Sequence, residues 1–236
     1  MNRIVTKATV LRRTNFGEAD RIATVLTSSL GKVRIIAKGS RKAKSKLAGG
    51  IELFGVSDVT LLEGRGEIKT LLSARSIKSY TNILKEIDRT MLGYKVLKII
   101  NKITEDAAGK DYFDLLIKTL ESLDDEKLSN DVIWVWFSLH LLQISGHAPN
   151  LTTDRNKKPL VPNKFYGFDL DDMTFFLEKG GAYSDKHIKI LRLATGLNSA
   201  QTLNNINGAK QIIRECSELV GSMWNNLGTY LLLNNL

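Results

Sequence analysis

Cations recur along Lys32-Val33-Arg34-Ile35-Ile36-Ala37-Lys38 and continue through Arg41, Lys42, Lys44 and Lys46. In an extended chain Lys32, Arg34 and Lys38 share one face and Val33, Ile35 and Ala37 the other, with Ile36 the exception among the cations. Alternate side chains on such a strand stand about 6.6 Å apart. That is close to two steps of the ~3.4 Å phosphate spacing along one nucleic-acid strand. A row of this kind can track a sugar–phosphate backbone. Arg12 and Arg13 close an earlier strand-like run, and Arg65 falls in a predicted hairpin turn, Glu63-Gly64-Arg65-Gly66. The candidate phosphate-binding set is therefore Arg12, Arg13, Lys32, Arg34, Lys38, Arg41, Lys42, Lys44, Lys46 and Arg65.

Covalent chemistry has fewer candidates. His140, His147 and His187 lack metal-ligand spacing. The acidic groups Asp124-Asp125-Glu126 and Asp169, Asp171, Asp172 could suggest a two-metal nuclease, which needs converging carboxylates. Both fall in predicted loops, where neighbouring acids more often solvate a turn. Gly31-Lys32-Val33 lacks the upstream glycine and the following Ser or Thr of a P-loop. The single cysteine, Cys216, can form no internal disulfide, and a structural zinc site needs several Cys or His ligands. No cofactor and no catalytic residue is expected.

Charge is distributed very unevenly. Residues 1–80 hold 16 Lys and Arg against 6 Asp and Glu, a net of +10, and the remainder holds 18 against 19, a net of −1. The whole-chain net charge of +9 thus belongs to one segment. A basic β-domain attached to a near-neutral body points to a nucleic-acid-binding head with an interaction module. No apolar run approaches the ~18 residues of a membrane span, and Met1–Lys7 has no apolar signal core. A reducing, cytoplasmic setting is expected.

The elements that must carry these cations follow from periodicity. Period-two runs predict strands over 3–13, 21–27, 32–37, 51–62 (bent at Gly55) and 67–80. Five short strands, with a helix-sized gap between the third and fourth, match an OB-fold barrel; small SH3-like barrels give a similar pattern. After Tyr80 the period turns helical. Ile83, Leu84, Ile87, Met91, Leu92, Ile99, Ile100 and Ile103 mark one helix, and 111–123 a second. Ser129 or Asn130 caps a third, apolar nearly all round, in which His140 is expected to make a hydrogen bond and Trp134 and Trp136 to be core, as is Trp224. All three prolines lie between His147 and Lys164, so that stretch reads as irregular. A small hairpin is expected over 165–177, then a helix capped by Ser184 and a long helix from about Gly208. The expected architecture is α+β: a nucleic-acid-binding OB-fold domain over 1–79, then a helical domain over 80–236 with an irregular subdomain at 147–184.

Particular motifs carry a resemblance. Lys7-Ala8-Thr9-Val10-Leu11-Arg12-Arg13-Thr14-Asn15-Phe16-Gly17-Glu18-Ala19-Asp20-Arg21, Gly31 to Lys42 and Leu47-Ala48-Gly49-Gly50-Ile51-Glu52-Leu53-Phe54 resemble the N-terminal part of the bacterial DNA-repair RecO family. Leu141 to Leu151 and Gly180-Gly181 are similar to its C-terminal half. The resemblance implies an OB-fold followed by a helical domain, binding to single- and double-stranded DNA, and strand annealing. It also implies partnership with RecR and with the acidic, hydrophobic C-terminal tail of the single-stranded-DNA-binding protein, together aiding RecA loading. The family's basic positions carry over to Arg34, Lys38, Arg41 and Lys42. Many relatives have paired cysteines between the equivalents of Leu151 and Asp185. Here Thr152 to Asn156 and Ala182 to Asp185 stand in those places, so a zinc-less module packed by Phe165, Phe168, Phe175 and Phe176 is expected.

Few aromatics precede Thr81, only Phe16, Phe54 and Tyr80. Binding is therefore expected to be mainly electrostatic, since OB domains that stack bases usually offer several rings. An OB-fold RNA-binding module is the alternative reading, and a nuclease using the acidic clusters a third.

Overall fold

β-Branched residues crowd the first eighty positions and fold there into five strands: β1 (Arg3–Phe16), β2 (Asp20–Thr27), β3 (Gly31–Ala37), β4 (Gly55–Leu62) and β5 (Ile68–Ser79). The structure, a computed structural model, describes residues 2–63, 66–104, 109–206 and 208–233. The strands close in the order β1-β2-β3-β5-β4, with β1 pairing back onto β4. All pairs are antiparallel except β3 with β5, which run parallel through Arg34↔Ile68, Ile35↔Lys69 and Ile36↔Thr70. Alternate residues fill the interior, including Ala8, Val10, Ala23, Val25, Ile35, Ala37, Val59, Leu61 and Leu71. The outward neighbours Lys7, Arg12 and Arg34 are exposed, as a period of two requires, while Thr9, Leu11 and Leu26 are buried as well.

Two strand boundaries differ from the sequence reading by three residues or more, and Ile83 and Leu84, expected in the first helix, lie in a separate 3-10 turn, Thr81–Lys85. β1 runs three residues past Arg13, because Thr14, Asn15 and Phe16 continue the ladder with Ile22, Arg21 and Asp20. The fourth strand begins at Gly55 rather than at 51. Ala48–Ile51 form a 3-10 turn, and Phe54 takes a positive φ of 56° that breaks the extended chain just before it.

Helices α1 (Ile87–Ile103) and α2 (Lys110–Asp124) follow. α1 turns Val96, Leu97 and Ile100 inward and leaves Ile87 (82% exposed) and Met91 (63%) outside. Gly93 permits its close approach to Phe54, since a Cβ there would stand 2.8 Å from Phe54 Cε1. The chain divides into two compact units, Met1–Glu126 and Lys127–Leu236. The change of period after Ser79 is real, but by compactness α1 and α2 group with the strands.

In the second unit α3 (Asn130–Ile144) is capped by Ser129, whose Oγ accepts the Val132 N–H at 3.3 Å. Residues Val132 to Leu139 of α3 are all buried, Trp134 and Trp136 among them. The Trp136 indole donates to the Leu197 carbonyl at 2.8 Å, and His140 Nδ1 lies 2.9 Å from the Trp136 carbonyl. Then come β6 (Asn150–Asp154), β7 (Phe165–Asp169), β8 (Thr174–Leu177), β9 (Tyr183–Ser184), α4 (Asp185–Gly196), α5 (Ala200–Asn204) and α6 (Lys210–Leu233). The stretch expected to be irregular plus one hairpin is a four-stranded sheet in the order β6-β8-β7-β9. Its packing also differs by one residue in phase. Phe165 is 53% exposed, while Tyr166 and Phe175 are buried. Phe175 makes edge contacts to Tyr166, Phe168 and Tyr183, with ring centroids 6.3, 4.8 and 6.0 Å apart.

Candidate nucleic-acid interface

The rung Arg12–Thr24–Arg34 crosses three adjacent strands in register: Arg12 is paired with Thr24, and Thr24 with Arg34. Its existence depends on a bulge. Val10 pairs with Val25 and Arg12 with Thr24, so Leu11 is an extra residue in β1. Val10 and Leu11 are both buried, and the register shift between them turns Arg12, not Arg13, toward the outer surface. Arg12, Arg34, Thr14, Asn15, Phe16, Ile22 and Thr24 line a cleft of about 330 Å³ on that surface.

The other predicted cations separate into two groups. Lys38, Lys42, Lys44 and Lys46 are exposed, like Arg12 and Arg34, and none of these six forms a salt bridge among the described residues. Arg41 is exposed too, yet it ties its loop to the β1–β2 turn. Its Nη1 donates to the Gly17 carbonyl at 3.2 Å and its amide to the Ala19 carbonyl at 2.9 Å. Arg13 and Lys32 instead direct their charge at protein acceptors. Arg13 Nη1 lies 2.5 Å from Glu52 Oε1, a carboxylate that Arg21 also approaches at 3.4 Å. Lys32 Nζ donates to the Asn101 carbonyl at 3.0 Å and to the Thr104 carbonyl. Those carbonyls belong to the C-terminal end of α1, where acceptors lack helical partners and the helix dipole is negative. Arg65 lies outside the described residues.

Asp20 was not among the sequence candidates, although it stands in the quoted Gly-Glu-Ala-Asp-Arg motif. Its Oδ1 accepts the Gly39 N–H at 2.7 Å. Gly39 has φ +65°, a conformation that favours glycine, so the Lys38-Gly39-Ser40-Arg41 turn folds back onto the β1–β2 turn. Two motifs some twenty residues apart thus form one basic corner next to Phe16.

A second concavity, of about 690 Å³, runs along α2. Val56, Ile77, Phe113 and Ile117 form its apolar part, and Lys7, Lys78, Lys110 and Lys118 its cationic part. Lys78 pairs with Glu121 at 3.2 Å and Lys110 with Asp114 at 3.6 Å. Tyr80 lines it as well; burial, helped by Glu121 and Asp124, pushes its phenol above the ordinary range.

The acidic clusters are engaged in local structure. Asp124 accepts the Asn82 N–H at 2.8 Å, and Glu126 pairs with Lys85 at 2.7 Å, which holds its carboxyl below the usual range. Asp169 Oδ1 accepts the Asp171 and Asp172 amides at 3.0 and 3.1 Å, and its other oxygen pairs with Arg155. Among the described residues no group of three or more His, Cys, Asp or Glu could hold a metal ion. Where cysteines were expected in relatives, Asp154 accepts the Asn156 and Lys158 amides at 2.8 and 2.9 Å. The Ser184–His187 capping box ends in a 2.6 Å contact from His187 to Glu215. No described helix is long and apolar enough to cross a membrane.

Residues 1–80 match the family described as Recombination protein O N terminal, and residues 84–226 match Recombination protein O C terminal. A DNA repair protein RecO of Dehalococcoides mccartyi is 37% identical over 147 residues, covering 62% of this chain and 57% of that protein. The one from Alkaliphilus metalliredigens is 31% identical over 151 residues, covering 64% and 61%. The one from Roseiflexus is 33% identical over 147 residues, covering 62% and 51%. The chain therefore matches between half and about three-fifths of the length of these curated relatives.

Proposed function

The chain belongs to the RecO family, and on that premise we propose that it is a non-catalytic DNA-binding and strand-annealing mediator of recombinational DNA repair. The strand order β1-β2-β3-β5-β4, the parallel β3–β5 pair and the short turn between β3 and β4 favour an OB-fold for residues 1–79. The observation that carries the reading is the rung Arg12–Thr24–Arg34, extended by exposed Lys38, Arg41, Lys42, Lys44 and Lys46. Cations aimed at solvent neutralise phosphate and release counterions whatever the sequence. Such a surface accepts single and double strands alike, so it can bring complementary strands together and leave the duplex behind without breaking a bond. Arg13 and Lys32 position this surface rather than touch DNA.

The family also implies RecR and the tail of the single-stranded-DNA-binding protein as partners, with RecA loading as the downstream result. The groove along α2 suits an acidic, apolar tail, because Lys7 and Lys118, which form no salt bridge among the described residues, flank an apolar floor, while Lys78 and Lys110 are held by the groove's own Glu121 and Asp114. The test is annealing of complementary strands coated with the cognate single-strand-binding protein. The protein is expected to accelerate annealing, and charge reversal at Arg34, Lys38, Arg41 and Lys42 to abolish that. No acceleration would refute the annealing role, and a strong preference for RNA over a matched DNA strand would shift the reading to an RNA-binding module.

A further inference from the structure

We propose that the cleft beside the Arg12–Thr24–Arg34 rung holds one unstacked nucleobase on the ring of Phe16, making this part of the surface selective for single strands; the inference rests on the DNA-binding reading above. Phe16 is 52% exposed although it lies in a ladder opposite Asp20. An aromatic ring left in water forgoes the gain of burial, and here it does so beside two arginines that form no salt bridge among the described residues. The cleft it lines has an apolar wall in Ile22, two hydroxyls in Thr14 and Thr24, and a guanidinium at both Arg12 and Arg34. Its volume of about 330 Å³ falls at the small end of ligand pockets, which begin near ~300 Å³.

The positions fit the parts of a nucleotide. Arg12 and Arg34 are two strand spacings apart, roughly 10 Å, and Phe16 is four residues, roughly 13 Å, along β1 from Arg12. Arg41 donates to the carbonyl of Gly17, the residue that follows Phe16. A chain lying across the strands can thus place phosphates at the arginines and turn a base down onto the ring. Bases have π-faces of every sequence, so the subsite tolerates any of them. A base inside a duplex already stacks on its neighbours and cannot offer its face. Phosphates at Arg12 and Arg34 therefore bind in either form, and only a single strand gains Phe16.

The test measures the affinities of a fluorescent oligothymidylate and of a duplex with the same number of phosphates, at several salt concentrations. Proteins are the wild type, Phe16→Ala, Phe16→Leu, Phe16→Trp and the double change Arg12→Gln with Arg34→Gln. Phe16→Ala and Phe16→Leu are expected to weaken single-strand binding by roughly fivefold or more, the low end for one stacked base. Duplex affinity and the salt slopes should stay in place. Phe16→Trp should restore single-strand affinity, and its indole fluorescence should be quenched by the oligothymidylate. Phe16→Leu keeps an apolar side chain on β1 without a ring face, so its agreement with Phe16→Ala separates stacking from local misfolding. Equal losses on both substrates, or no loss on either, overturn the base subsite. The double arginine variant probes the underlying reading separately. If it leaves both affinities and slopes intact, it is the phosphate surface that fails.

Discussion

Replacing Arg12 and Arg34 together by glutamine is expected to flatten the salt dependence of DNA binding, and the size of the effect can be worked out. Seven exposed cations make up the proposed surface: Arg12, Arg34, Lys38, Arg41, Lys42, Lys44 and Lys46. At about 0.7 counterions per phosphate contact on a single strand, full engagement gives a log–log slope of about −5. Affinity should then fall roughly a thousandfold between about 50 and 200 mM salt. Removing two contacts takes the slope to about −3.5 and the fall to roughly a hundredfold. Anisotropy titrations of labelled oligonucleotides of unrelated sequence provide the measurement, and all sequences should weaken alike. A slope that does not change, or a loss confined to one sequence, refutes the reasoning. Lys32→Met is the matched control. Its ammonium donates to two carbonyls at the end of α1, so its loss should leave the slope alone and destabilise the protein by about 2 kcal/mol in a urea titration. A slope smaller by about one contact at unchanged stability would mean that Lys32 does touch phosphate.

Gly93→Val should destabilise the first unit by about 1–3 kcal/mol, read as a lower urea midpoint, because the new side chain meets the buried Phe54 ring. An unchanged midpoint would show that α1 does not lie on Phe54. Hydrogen bonds from Gln211 and from His187 hold the Glu215 carboxyl below its ordinary value of 4.5. A lowered folded-state pKa contributes stability above the unfolded value and loses it as pH falls through the folded one. The melting temperature of Glu215→Gln should accordingly lie below wild type at neutral pH and converge on it as pH drops below about 4.5; a gap that persists in acid contradicts this account. Burial, with Glu215 nearby, pushes the Cys216 thiol up to about 12. A thiol reagent at neutral pH should react at the rate of unfolding, and a fast reaction in the native protein would place the sulfur in reach of solvent.

Much of the basic face was legible because it is a local property. Alternation along Lys32 to Lys38 separates Ile35 and Ala37 from Arg34 and Lys38 in any strand, and those sides are the observed ones. The same reasoning could not separate Arg12 from Arg13, since a bulge at Leu11 resets the phase and nothing in the residues themselves announces it. One residue of phase also exchanged Phe165 for Tyr166 as the core aromatic of the second sheet. The fourth strand starts at Gly55, later than the apolar pattern predicts, because Phe54 takes a positive φ; its carbonyl accepts the Tyr80 amide and its ring lies against Gly93 of α1, contacts that no local window of sequence contains.

The amino-acid order alone determined that residues 1–80 are strand-forming and hold the positive charge, and that α3 is buried. Each follows from composition and period within a short window. Which cations face water was decided only by the tertiary structure. The acceptors for Lys32 are the carbonyls of Asn101 and Thr104, some seventy residues on, and the partner of Arg13 is Glu52. An ammonium or guanidinium is available to a polyanion only if no protein oxygen has claimed it, and the closing of the chain determines which oxygens come within reach.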